Sequence, residues 1–207
     1  MQTHRLSVLL VADHLAMRAG LEVILRDAGM RVAATASDLA EARASLMRGR
    51  YDVALVDIRL GSESALGVVE ETLAQHPSAA VVLYTGYKGT AELKAAMRSG
   101  ARGIVLKSSP VERLVDALRT VAAGGFSVDP GLAPLLVNRA ETAAISALSP
   151  REREIFGMLA EGLTGQAIAE RLFLSPETVR THVRNGTAKL GAKTRVQAVA
   201  LMLKSAA

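Results

Sequence analysis

Asp52-Val53-Ala54-Leu55-Val56-Asp57 decides the fold of the first half of this chain. Four consecutive apolar residues stand between acids. A strand that is apolar at every position is buried on both faces, as in a parallel sheet covered by helices on each side. Working outward, similar runs recur at 6–12, 31–35, 80–84 and 103–106. Between them, residues 15–28, 38–48, 64–75, 89–99 and 111–123 have helical spacing. Strand and helix alternating at this rhythm predict an α/β domain, a doubly wound (βα)5 parallel sheet. Gly29, Gly49 and Gly100 follow helical stretches and read as C-caps.

Four of the runs deliver a chemically competent residue at their carboxyl ends, where open parallel sheets bind ligands. Residues 7–12 end at Asp13, 52–56 at Asp57, 80–84 at Thr85 and 103–106 at Lys107. Singly, each fits an ordinary loop or cap. Jointly, two carboxylates, a hydroxyl and an ammonium suit a divalent cation and a phosphoryl group. A carboxylate such as Asp57 can attack phosphorus and form an acyl phosphate. Mg2+ takes carboxylate and carbonyl oxygens plus waters, and Asp13 and Asp57 can supply the carboxylates. Lys107 can pair with a phosphoryl oxygen and Thr85 can donate to another.

Of the 207 residues, half are hydrophobic but only 3% are aromatic, so the core is aliphatic. There is no cysteine, hence no disulfide and no thiolate metal site. The N-terminal apolar run stops at Asp13, too short for a signal-peptide core or a membrane span, so a cytoplasmic protein without membrane association is expected. Residues 1–147 carry 16 Lys+Arg against 15 Asp+Glu, net +1, and residues 148–207 carry 9 against 5, net +4. The excess charge therefore lies in the smaller C-terminal part, which a polyanion partner or an ordinary solvated face would equally explain.

Gly124-Gly125 closes the fifth helical stretch, and 124–147, with Pro130, Gly131 and Pro134, reads as a linker with room for one helix. Ser149-Pro150-Arg151-Glu152 is a capping box with proline at the first helical position. Four helices are expected after it: to about Ala160, from Thr164 to about Leu172, from Ser175 to Leu190, and from Thr194 to about Leu203. The tight turn at 173–175 makes the second and third a helix-turn-helix. In the third, Val179, Val183 and Leu190 share one face. Arg180, Thr181 and Arg184 lie off that face and could reach base edges in a major groove. Thr178, His182, Lys189, Lys193 and Arg195 are better placed as phosphate or structural contacts.

Residues 5–123 resemble a response-regulator receiver domain, and with 148–207 the whole chain resembles a NarL/FixJ-type regulator carrying a LuxR-type helix-turn-helix. The C-terminal pattern runs through Leu148–Glu154, Gln166–Leu172, Leu174–Val183 and Ala188–Arg195. The resemblance implies a receiver at 1–123, a linker at 124–147 and a four-helix DNA-binding domain at 148–207. It makes Asp57 the phosphoacceptor, Thr85 the switch hydroxyl and Lys107 the lysine typical of the family. Asp13 becomes a metal ligand for Mg2+, with the main-chain carbonyl of Arg59 a further one. The implied partners are a sensor histidine kinase, double-stranded promoter DNA and a second copy of the chain when active. The implied function is transcriptional regulation controlled by phosphorylation, not enzymatic turnover of a diffusible substrate.

Three departures bear on the receiver. Ala12 stands where the family usually has a second acid, which weakens Mg2+ binding. Ile104 stands where an aromatic switch residue is usual, and the loop Ile58–Ser62 lacks the usual proline. Either the response to phosphorylation is altered or these are tolerated substitutions. A phosphorylation-independent transcription factor is therefore an alternative. A fourth departure is Gly186, on the core face between Val183 and Leu190, where a large aliphatic is usual. A helical glycine costs about 1 kcal/mol and a missing buried side chain about 2–5 kcal/mol more. This predicts that Gly186→Ile raises the unfolding midpoint unless a neighbour fills the gap. It also motivates a last alternative, an interaction protein with a defective reader helix. Val196, Val199, Ala200 and Leu203 on the fourth helix form the expected pairing surface between two DNA-binding domains, or else cover the third helix.

Overall fold

The computed structural model describes residues 5–86, 89–132 and 144–205. Strands β1 (Ser7–Val11), β2 (Arg31–Ala36), β3 (Val53–Asp57), β6 (Val81–Thr85) and β7 (Gly103–Leu106) are those expected, each within a residue or two. Helices α1 (Leu15–Asp27), α2 (Leu39–Arg48), α3 (Leu66–Gln75), α4 (Thr90–Arg98) and α5 (Val111–Ala122) alternate with them. The parallel sheet has the order β2-β1-β3-β6-β7-β8, the last being Ser127–Val128.

Two features depart from the expected (βα)5 unit. A small antiparallel hairpin, β4 (Arg59–Leu60) and β5 (Glu63–Ser64), follows β3 and takes Ser64, the residue expected to open α3. The sheet also has a sixth strand, β8 (Ser127–Val128), drawn from the stretch expected to be linker. After Gly124, whose φ of +87° turns the chain out of α5, β8 pairs in parallel with the otherwise open edge of β7. An unpaired edge leaves backbone donors and acceptors without partners, which even a two-residue strand relieves. Residues 133–143 of the expected linker lie outside the described residues.

Alternation along the strands builds two cores. Val8, Leu10, Leu55, Val82 and Val105 face α1 and α5 and meet Leu21, Leu25, Leu114 and Leu118. Leu9, Val11, Val56, Leu83 and Ile104 face the opposite layer with Leu46, Val69, Leu93 and Met97. Each buried aliphatic of this size contributes roughly 1.5–3 kcal/mol of hydrophobic stabilisation.

The C-terminal half has the four expected helices, α6 (Pro150–Ala160), α7 (Gly165–Arg171), α8 (Pro176–Lys189) and α9 (Arg195–Ser205). Ser149 and Glu152 form the full capping box, and Thr164 and Ser175 cap α7 and α8. The turn between α7 and α8 contains Phe173, at a φ of +55° and almost fully exposed. Two expectations need correction. The core at Gly186 is already full: an ideal Cβ there would lie 2.4 Å from Phe156 Cε2. Likewise, α9 does not present a free pairing surface. Val196, Val199 and Ala200 are buried, and the helix packs on α6 and on α4 and β8 of the N-terminal half.

Candidate phosphoryl pocket and nucleic-acid interface

The parallel topology brings the four strand ends to one rim. β1 and β3 are neighbours, so Asp13 and Asp57 end adjacent strands, and β6 and β7 follow with Thr85 and Lys107. Asp57 is 2% exposed. Its Oδ2 accepts from Lys107 Nζ at 2.5 Å, and its Oδ1 accepts from the Arg59 backbone N–H at 3.1 Å. The Lys107 backbone N–H donates to the Thr85 carbonyl at 2.8 Å, which fixes the lysine beside β6. Thr85 itself is buried. Its neighbour Tyr84 is half-buried, with its ring centroid 5.7 Å from Lys107 Nζ. Burial raises the Tyr84 hydroxyl pKa, and the Asp57 charge raises it further.

Asp13 joins the rim through the hairpin. Its Oδ2 accepts from the Gly61 N–H at 2.7 Å and its Oδ1 pairs with His14 Nδ1 at 2.7 Å. Burial pulls the Asp13 pKa upward, but the Gly61 amide and His14 outweigh it and hold the carboxyl below its ordinary value. The Arg59 side chain turns away, donating to the Ser62 carbonyl at 2.7 Å and lying 3.9 Å from Glu92. Ala12 is buried and apolar, so its position offers no second carboxylate. The donor chemistry nevertheless fits a hard cation: two carboxyl side chains at adjacent strand ends can share it with a main-chain carbonyl and waters. Among the described residues no three acidic, His or Cys side chains cluster as a metal site.

Tyr84 was hidden in the sequence because it sat inside a strand run. Its only signal was a polar aromatic in an aliphatic stretch of a chain with three tyrosines. His14 was visible as a loop residue, but its contact with Asp13 was not.

Helix α8 borders a cleft of about 290 Å³ whose wall includes Arg180, Thr181, Arg184 and Lys193. Arg184 and Lys193 are exposed, Thr181 is half-buried, and Arg180 is paired with Glu177 at 3.3 Å. The residues expected as phosphate or structural contacts divide. Lys189 Nζ is tied at 2.7 Å to Glu152, whose side chain is buried, so it serves the fold. Thr178 Oγ1 shares a hydrogen bond with the cap hydroxyl of Ser175 at 2.8 Å. His182 is half-buried. Arg195 lies over the Phe126 ring, 6.0 Å from its centroid. Burial lowers its pKa, and the like charges of Arg102 and Arg180 lower it further.

Comparisons with known proteins agree with this two-part geometry. Residues 8–119 match the response regulator receiver domain, and residues 146–202 match the bacterial regulatory proteins of the luxR family. The DNA-binding transcriptional activator DevR/DosR of Mycobacterium tuberculosis is 34% identical, covering 92% of this chain and 91% of its own length. The oxygen regulatory protein NreC of Staphylococcus carnosus is 31% identical, covering 96% and 97%. Among solved structures, the response regulator ChrA of a heme-sensing two-component system aligns with a TM-score of 0.55 at 32% identity, covering 95% and 96%. Among the described residues no helix is long and apolar enough to cross a membrane. The chain belongs to the NarL/FixJ-type two-component response regulators, which join a receiver domain to a LuxR-type DNA-binding domain.

Proposed function

We propose that this chain is a transcriptional regulator switched by phosphorylation of Asp57. The observation that carries this reading is the Asp57–Lys107 ion pair, with Asp57 buried at the strand ends of a chain that also holds a basic reader helix. A carboxylate oxygen of Asp57 attacks the phosphorus of a donor, either a kinase phosphohistidine or a small phosphodonor. The bond from phosphorus to the donor breaks, the donor leaves with that electron pair, and Asp57 becomes an acyl phosphate. Lys107 then pairs with a phosphoryl oxygen, and the Thr85 hydroxyl donates to another. Asp13, Asp57 and the Arg59 carbonyl would hold Mg2+, which supplies charge neutralisation at the phosphoryl oxygens when bound. The product carries about −1.5 to −2 charge, enough to reorganise its neighbours.

Arg180, Thr181 and Arg184 would read base edges, and Lys193 would contact phosphate. Activity would involve a sensor kinase, promoter DNA and a homodimer. Because α9 packs against α4 and β8 in this arrangement, pairing through α9 requires the halves to separate. Ala12 and the buried Ile104 favour a second reading, a phosphorylation-independent regulator with the same DNA-binding half. The Phe156 ring against Gly186 removes the motive for a defective reader helix.

The test is sedimentation of wild type and Asp57→Asn with Mg2+, with and without beryllium fluoride as a phosphoryl mimic. A shift from monomer to dimer in wild type alone is the expected result. No shift in either protein would overturn phosphorylation control, and full activity of Asp57→Asn would favour the second reading.

A further inference from the structure

We infer that Asp129 is a positioning residue that links the Lys107 loop to the docking of the DNA-binding half, an inference resting on Asp57 as phosphoacceptor. Asp129 lies just past β8 and is 4% exposed. Burying a carboxylate is costly unless its oxygens are hydrogen-bonded, and here both are engaged. Oδ1 accepts from the Gly131 N–H at 2.9 Å, an ordinary Asx turn over Asp129-Pro130-Gly131. Oδ2 is not needed for that turn. It accepts from the Leu106 N–H at 3.2 Å and from the Ser109 hydroxyl. Those two donors flank Lys107, the residue that holds Asp57.

The other end of this connection reaches the DNA-binding half. The Asp129 N–H donates to the Ile104 carbonyl at 2.9 Å and extends the β7–β8 ladder. Immediately before β8, the Phe126 ring lies under the Arg195 guanidinium at the start of α9. Beside it, the Thr194 hydroxyl donates to the Met97 carbonyl of α4 at 2.5 Å. One short strand thus has the Lys107 loop bonded at its carboxyl end and the α9 start stacked at its amino end.

Phosphorylation exchanges the carboxylate partner of Lys107 for a phosphoryl oxygen. The shift of the 107–109 loop passes through Ser109 and Leu106 to Asp129, and through β8 to Phe126 and Arg195. This route does not need an aromatic ring at position 104. A purely structural Asp129 would affect stability but not the size of the response.

The absence of cysteine allows clean labelling. A dye pair on Lys94→Cys in α4 and Glu170→Cys in α7 reports domain separation in the full chain. Wild type, Asp129→Asn and Ser109→Ala, each carrying the pair, are treated with acetyl phosphate and Mg2+. Intact mass follows phosphoryl incorporation and transfer efficiency follows opening. Asn at 129 keeps the shape but turns one acceptor oxygen into a donor, whereas Ser109→Ala removes a single hydroxyl and spares the turn. Phosphorylation of wild type is expected to shift the docked-to-open ratio by about tenfold, within the usual range of allosteric couplings. Both variants should incorporate phosphoryl at close to the wild-type rate, yet shift by less than about threefold, Asp129→Asn the least. Equal shifts in variants and wild type would overturn the inference, as would a phosphorylated wild type that does not open. A wild type that takes up no phosphoryl group would instead overturn the reading of Asp57, and this inference with it.

Discussion

Phe156 and Gly186 are best understood as one packing unit. The aromatic ring of α6 occupies the space that a side chain on α8 would otherwise fill, within 2.4 Å of where a Cβ would stand. Backbone propensity alone says that Gly186→Ala should stabilise α8 by about 1 kcal/mol. Packing says otherwise, because forcing an extra carbon into a full core typically costs about 1–3 kcal/mol. Gly186→Ala is therefore expected to lower the unfolding midpoint, and Gly186→Ile to lower it more. In a Phe156→Leu background, Gly186→Ala should become neutral or stabilising. A double-mutant cycle by thermal melts measures this coupling, and additive effects would show that the ring and the glycine are independent. Glu152 offers a pH test at the same scale. Burial would raise its pKa, but Lys189 and the Ser149 amide and hydroxyl overcome that and hold it below the ordinary 4.5. A depressed carboxylate contributes stability that is present above its unfolded value and lost as pH falls through the folded one. Glu152→Gln should thus cost about 1.5 kcal/mol near neutral pH, modest because solvent screens the partly exposed Lys189. The difference in Tm from wild type should shrink steadily as pH drops below about 4.5, and a difference independent of pH would refute the charge argument.

Among the elements, α8 and the turn that follows it make separable predictions for DNA binding. Each phosphate neutralised by a cation adds about 0.9 to the slope of log affinity against log salt. Lys193 is exposed beside the reader cleft, so Lys193→Ala should reduce that slope by about 1. Lys189→Ala should leave the slope unchanged and lower Tm, because Lys189 is bonded to Glu152 within the fold. Arg184→Ala should weaken preferred over random sequence by about 1–3 kcal/mol. Titrations of duplex DNA at several salt concentrations separate the three, and a slope that falls for Lys189→Ala would place that lysine on DNA after all. The elements themselves were largely legible. All-apolar runs such as Val53–Val56 read directly as doubly buried strands, and Ser-Pro-x-Glu and Ser-Pro-Glu marked the starts of α6 and α8. The strand-end residues were legible because topology alone gathers them. What could not be read depends on contacts distant in sequence. β8 is two residues long and carries no period of its own, so its pairing with β7 is set by the free sheet edge rather than by its composition. Phe156 lies 30 positions before Gly186, and the glycine looked like a cavity only while the ring had no assigned place.

At the scale of the whole molecule, docking of the two halves is a balance between apolar burial and like charge. α9 gains cover from α4 and β8, and the Thr194 hydroxyl and the Phe126 ring each hold its N-terminal end. Against this, Arg102 of the first half sits near enough to Arg195 for its charge to lower the Arg195 pKa, so the docked state carries repulsion. The two contributions can be shifted in opposite directions. A cation over an aromatic face contributes about 0.5–1 kcal/mol at an accessible site. Phe126→Ala should therefore raise the open population about two- to fivefold, and Arg102→Gln should lower it by relieving the repulsion. If pairing through α9 is needed to occupy two DNA half-sites, apparent affinity scales with the open fraction. Without any phosphodonor, Phe126→Ala should bind a two-site duplex about two- to fivefold more tightly than wild type, and Arg102→Gln more weakly. Salt adds a further check, since screening weakens repulsion between partly exposed charges. The gap in open population between Arg102→Gln and wild type should close as ionic strength rises, while the Phe126→Ala effect should persist. Changes of the same sign in both variants would show that the α9 contact does not control access to DNA.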